Sequence, residues 1–337
     1  MSTPACTCTD IHNHIVPENF PAYAGRNLNV PWPSMAEAHA CHRHVMISGK
    51  VYRTVADGSW SVARRISDMD TAGVTRQALS PMPELLSYWL PLDDAKVMIR
   101  FLNDQIASMI DQAPGRFVGL GCVPLQDLES AIRELEYVMG TLKFQGVEIA
   151  SHVNGVSIGD PRFEPFFVAA AKLNAAIFVH ALRPAGQDRI VGAFSEQAVA
   201  FPGDIGLAVA SMITGGIAER VPGLKIAFSH GGGAFAMMMP RLVRGWNATP
   251  KAKESLPKSP REYARKFYYD CLVFDPQAVK HLIYSFGATQ LMIGSDYPFN
   301  MGDTDPVGSL KAAGLDDETF VAIMQKNAER FLGLPPQ

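Results

Sequence analysis

Ala176-Ile-Phe-Val-His180 reads as a buried strand that stops at an imidazole, and the same arrangement recurs along the chain. Lys225-Ile-Ala-Phe-Ser-His230 also ends an apolar run in histidine, and Leu291-Met-Ile-Gly-Ser-Asp296 ends one in aspartate. Asp10-Ile11-His12-Asn13-His14 closes a fourth run with two histidines. Strand side chains alternate between faces, so His12 and His14 share one face. Two imidazoles converging at the C-terminal end of a strand make half of a zinc or iron site, although this spacing alone equally fits a polar strand end. Burying several titratable groups is costly unless a metal or mutual hydrogen bonds compensate. Packing alone is a poor explanation for four strand ends that carry only His and Asp, so the five side chains are read together as one site.

Working outward, eight short apolar runs are found, at Cys8–Ile15, Gln77–Ser80, Phe117–Val123, Gly146–Ala150, Ala176–His180, Lys225–His230, Phe267–Asp270 and Gln290–Ser295. Helical periodicity fills most gaps, over Ala95–Gln112, Leu128–Thr141, Phe163–Leu173, Gly206–Arg220, Gly233–Trp246, Pro276–Phe286 and Asp316–Leu332. Strands alternating with helices predict a parallel sheet with crossover helices. Eight strands with about eight helices predict an α/β fold of the (β/α)8 TIM-barrel type, which takes 337 residues as one domain over 1–337. The stretch at about 16–57, rich in Pro, Asn and His, breaks the alternation and holds β-like pieces around Val45–Ile47 and Lys50–Val55. It reads as a small insertion after strand one, lying over the face where barrel active sites form.

Composition narrows the function. With 47% hydrophobic and 19% charged residues and a net charge of -3, the chain is an ordinary globular type with no basic face for nucleic acid. No GxGxxG follows the first strand and no GxxxxGK[ST] occurs, which removes the usual nucleotide-binding reading. Uncharged runs such as Ile205–Ala218 fall short of the ~18 to 20 residues of a membrane span. Five scattered cysteines, an odd number, argue against a disulfide framework and for a cytoplasmic location; Cys6 and Cys8 are expected in the core, away from the site.

Longer motifs surround these residues. They are His12-Asn13-His14 with Val16-Pro17, Gly49-Lys-Val-Tyr-Arg53, Arg116-Phe-Val-Gly-Leu-Gly121, Val123-Pro-Leu-Gln126, His230-Gly-Gly-Gly-Ala-Phe235, Gly294-Ser-Asp-Tyr-Pro-Phe299, and Asn327-Ala328 with Phe331-Leu-Gly-Leu334. On these motifs the chain resembles, nearly end to end, the amidohydrolase superfamily and its branch of 2-amino-3-carboxymuconate-6-semialdehyde decarboxylases. The resemblance implies that His12, His14, His180 and Asp296 hold one divalent ion, expected to be zinc, while the catalytic His230 stays off the metal and moves protons. Binuclear relatives carry a lysine at the end of strand four, but Gly146-Val-Glu-Ile-Ala150 offers none, so one ion is expected.

Arg53 and Arg241 match the branch's carboxylate binders, and the resemblance implies a homodimer in which Arg241 reaches the neighbouring subunit's site. A guanidinium fork suits a substrate carboxylate. Two departures stand out. Glu148 replaces the branch's usual glutamine and reads either as a partner that orients a histidine or as a hydrogen-bonded core acid. Ala181-Leu-Arg-Pro184 replaces Pro-Trp-Asp after His180; Arg183 reads either as a second anion contact or as a partner of Glu148 or another loop acid. Trp89 and Tyr88 are candidates for an aromatic wall, and His152 for the pocket lining. The cluster of His39, Cys41, His42 and His44 fits no standard zinc module.

The expected activity is metal-dependent non-oxidative decarboxylation of a small unsaturated or aromatic carboxylic acid. The alternative is a hydrolase of an amide, lactone or carbon–carbon bond using the same zinc-hydroxide site. A non-catalytic barrel would tolerate loss of one of the five residues, and none is missing.

Overall fold

The computed structural model describes residues 7–27 and 29–336. Eight parallel strands follow one another around a sheet: β1 (Thr9–Ile15), β2 (Arg76–Pro81), β3 (Phe117–Gly121), β4 (Gly146–Ala150), β5 (Ala176–His180), β6 (Lys225–Phe228), β7 (Tyr268–Asp270) and β8 (Leu291–Met292). Each expected apolar run overlaps one of them. The sheet closes on itself, because Asp10 bridges Ile293 and Asn13 bridges Tyr297 in parallel. Ile11 N donates to Ile293 O at 3.0 Å and His14 N to Tyr297 O at 2.7 Å.

The interior is filled in layers, as expected for a barrel of this size. Ala78, Ala176, Phe178, Ala227 and Met292 are fully buried in one apolar layer, and Phe331 of the C-terminal helix Asn327–Leu332 packs on Tyr268 beneath it, with ring centroids 5.2 Å apart. Polar side chains occupy the opposite, C-terminal end of the strands. Asp10 fastens β1 to its neighbours there, accepting hydrogen bonds from Ser295 Oγ at 2.7 Å and Gln77 Nε2 at 3.1 Å.

The segment after β1 forms an antiparallel three-stranded sheet of Ser34–Glu37, His42–Ile47 and Lys50–Ala56. Most expected helices are present within a few residues, and Pro276–Phe286 matches at both ends. Two expected helices are interrupted. Gly215 and Gly216 divide the fifth crossover into Phe201–Thr214 and Ile217–Arg220, because Gly216 takes φ 78°. The C-terminal helical segment passes through a wide turn at Ala322–Lys326 between Asp317–Val321 and Asn327–Leu332. Another wide turn, Glu196–Ala200, lengthens the first of these helices to 19 residues, Glu196–Thr214, so it meets the length and hydropathy of a membrane span that the sequence reading denied it. Its Ile205, Val209, Met212 and Ile213 are fully buried in the barrel wall.

Candidate metal centre and cavity

β1 presents two histidines to the barrel mouth because the residue between them is held on the other side. Asn13 Oδ1 accepts from the fully buried Arg65 at 3.0 Å, and Asn13 Nδ2 donates to Ala78 O at 3.1 Å. Arg65 also donates to Gln77 Oε1, Gly58 O and His14 O, and its guanidinium stacks on Tyr297 at 4.8 Å. Alternation then turns His12 and His14 inward. The other members come from the ends of β5 and β6 and the loop after β8.

Tautomers are fixed by what each Nδ1 meets. His12 Nδ1 donates to Asp270 Oδ2 at 2.7 Å, His14 Nδ1 to Pro81 O at 3.1 Å, and His180 Nδ1 to Ala181 O at 2.8 Å. In each ring Nε2 is therefore the atom left to face the cluster. Those three nitrogens and Asp296 Oδ1 are buried with no hydrogen-bond partner. One ligand atom from each of the four residues lies within 4.8 Å of the others. Four converging, orphaned, electron-rich atoms fit a divalent cation, since a cation satisfies all of them at once. The four residues form a metal-binding site.

Electrostatics agree. Burial alone would push Asp296 up, but its contacts with His12 and His14 hold it well below the usual carboxylate range. Burial pulls His14 and His180 down, so both are neutral ligands at pH 7. His12 differs: burial lowers it, yet Asp270 and Asp296 outweigh that and hold it up at about 10.

His230 lies beside the cluster but outside it, its ring centroid 5.1 Å from those of both His12 and His180. Its Nε2 is buried without a partner, and burial, then His12, holds the ring down at about 4. Its backbone N–H donates to Asp270 Oδ2 at 2.9 Å, and that of Gly231 to Asp270 Oδ1 at 2.8 Å. The glycine run has a steric cause: Gly233 has φ 57°, and a Cβ there would lie 1.9 Å from Pro202 O. The close approach that the glycines permit is thus to the start of the next wall helix.

A cavity of about 890 Å³ opens over the cluster and includes His180, His230 and Asp296 in its lining. Arg53 reaches it and stacks on Phe299 at 4.3 Å, and Phe299 in turn stacks on His14 with centroids 5.3 Å apart. Arg183 also lines it, paired with Glu84 rather than Glu148. Trp89 is not part of this lining; it lies beneath Arg183 at 3.3 Å and, with Tyr88 and His152, faces an adjoining cavity of about 450 Å³. His39, His42 and His44 line the mouth of the main cavity, and no second metal cluster occurs among the described residues. Arg241 is exposed on the helix Phe235–Ala248, away from the cavity lining. Cys8 is buried at the foot of β1, whereas Cys6 lies outside the described residues.

Three contributors escaped the sequence reading. Asp270 carried a signal, since it ends β7 just as His180 ends β5. Glu84 and Glu196 carried none, because only the fold brings them to the cavity. Glu148 is fully buried 3.6 Å from His14 Nδ1, with neither carboxylate oxygen hydrogen-bonded, and burial pushes it up to about 8.

The amidohydrolase family model matches residues 9–334. This chain belongs to the amidohydrolase family. An amidohydrolase relative, the 2-amino-3-carboxymuconate-6-semialdehyde decarboxylase of Dictyostelium discoideum, is 37% identical over 331 residues, covering 97% of this chain and 92% of that protein. Among solved structures, apo IDCase of Metarhizium anisopliae superposes with a TM-score of 0.83 at 21% identity, covering 98% of each chain. The 5-carboxyvanillate decarboxylase of Novosphingobium aromaticivorans, complexed with manganese and 4-hydroxy-3-methoxy-5-nitrobenzoic acid, superposes with a TM-score of 0.74 at 26% identity over 82% of each chain.

Proposed function

We propose that this amidohydrolase is a metal-dependent non-oxidative decarboxylase of a small unsaturated or aromatic carboxylic acid. The observation that carries this reading is Arg53: a guanidinium with no carboxylate partner among the described residues, held on Phe299 in the cavity lined by the metal ligands His180 and Asp296. A free guanidinium beside a metal centre suits an acid substrate better than a neutral amide or lactone.

His12, His14, His180 and Asp296 would hold one ion, and the donor set of three imidazole nitrogens and one carboxylate favours zinc. The ion supplies a Lewis acid that draws off the electron pair left when carbon dioxide departs. Arg53 binds and orients the acid. The carbon–carbon bond to the lost carboxylate breaks, and His230 Nε2 relays from water the proton that replaces it. Arg183, backed by Trp89, positions the far end of the substrate.

The same reading takes the enzyme as a homodimer in aromatic catabolism, with Arg241 reaching the neighbouring site. Support comes from the face it shares: Met237 is 73% exposed and Met238 is also exposed on the same helix. A cytoplasmic setting accords with free thiols at Cys41, Cys122 and Cys271. The function is tested by measuring carbon dioxide release from a panel of carboxymuconate semialdehydes and hydroxybenzoates with enzyme of known metal content.

A further inference from the structure

Arg183 is constrained from every side. Its backbone sits in the left-handed region at φ 48°, which a non-glycine residue adopts only when its surroundings hold it there. His152 Nε2 donates to its carbonyl at 3.1 Å. Its guanidinium lies 3.3 Å from the Trp89 ring, and Nε and Nη2 both donate to Glu84 Oε1, at 3.2 and 2.5 Å. Glu84 is only 5% exposed and Arg183 49%, so the carboxylate lies behind and the guanidinium in front. Nη1 makes no hydrogen bond to any described residue, on a side chain that lines the main cavity.

The charges on that wall differ from those at Arg53. Glu84 and Glu196 both line the cavity with Arg183, and Glu84 feels the negative charge of Glu196 as well as the two guanidinium groups. Arg53 makes no hydrogen bond or ion pair to either carboxylate among the described residues, whereas Arg183 is committed to Glu84 through two nitrogens. A substrate anion is therefore drawn to Arg53 and the metal ligands, while a second carboxylate at Arg183 would face two like charges. A neutral oxygen could accept from Nη1 without that repulsion.

We infer that the Glu84–Arg183 pair, braced on Trp89, is a specificity element that recognises a neutral carbonyl or hydroxyl oxygen at the end of the substrate distal to its carboxylate, and disfavours a second carboxylate there. This deepens the acid-substrate reading above and rests on it. Arg183 and Glu84 act here as positioning residues.

The test is binding of matched benzoates to the metal-loaded enzyme, followed by calorimetry. The probes are benzoate, 3- and 4-formylbenzoate, isophthalate and terephthalate. We expect at least one formylbenzoate to bind about tenfold tighter than its dicarboxylate counterpart, and Arg183→Met to erase its advantage over benzoate. Glu84→Gln, which leaves Arg183 uncompensated, should shift the preference toward the dicarboxylate, a change that mere loosening of the wall would not produce. Arg53→Met should weaken all five probes alike. Tighter dicarboxylate binding in the unaltered enzyme, ratios that neither Arg183→Met nor Glu84→Gln alters, or no binding of any probe would overturn the inference. The acid-decarboxylase reading fails separately, through absence of carbon dioxide release from the substrate panel.

Discussion

Asp270 Oδ2 receives two hydrogen bonds that link the metal cluster to His230, one from His12 Nδ1 at 2.7 Å and one from the His230 backbone N–H at 2.9 Å. One carboxylate thus sets the tautomer of a ligand and the position of His230. Asp270→Asn keeps the size but removes the charge, and metal affinity should fall about 10- to 100-fold, as for other partners of metal-bound histidines. Competition with a chromophoric chelator measures this; unchanged affinity would show that backbone geometry alone orients His12.

His230→Asn should retain one equivalent of metal while turnover falls by roughly 10²- to 10⁴-fold, the usual contribution of a positioned proton-transfer group. Elemental analysis beside steady-state rates separates the two effects. A variant isolated without metal would make His230 a ligand.

Metal binding should release a proton. In the metal-free protein His12 is held up at about 10, chiefly against its burial, by Asp270 and Asp296, so the ion must displace that proton between pH 6 and 9. Affinity should rise about tenfold per pH unit across this window. The sign for folding of the metal-free protein is opposite: a raised histidine pKa contributes stability fully below its ordinary value of 6.5, and this is lost as pH rises toward 10. Calorimetry in buffers of different ionisation enthalpy counts the proton, and a pH-independent affinity would contradict the assignment.

Arg65→Met should destabilise the fold by about 2–5 kcal/mol, because it leaves Asn13, Gln77 and two carbonyl groups as buried acceptors without their donor. Urea unfolding of the metal-free protein measures this independently of metal loss.

The barrel was legible because each strand is a short apolar run between turn residues, and the ligands because each closes such a run at the same end. Local pattern carries both. Asp270 was overlooked although it obeys the same rule, since Tyr268–Asp270 is only three residues long and its apolar character is masked by two tyrosines. Glu84 and Arg183 are 99 residues apart, and no sequence period could have joined them. The misplacement of Trp89 has a related cause: its position in the loop was readable, but which side of Arg183 it supports depends on packing. The wide turn Glu196–Ala200 that lengthens the wall helix likewise follows from packing around the cavity rather than from helical propensity.

The central claim is that a single metal cluster with His230 replaces a substrate carboxylate by a proton. The most direct measurement is the ratio of carbon dioxide released to substrate consumed by enzyme carrying one equivalent of metal, over carboxymuconate semialdehydes and hydroxybenzoates. The account predicts one carbon dioxide per substrate consumed, abolished by chelation and restored by zinc. Hydrolytic products without carbon dioxide would contradict it.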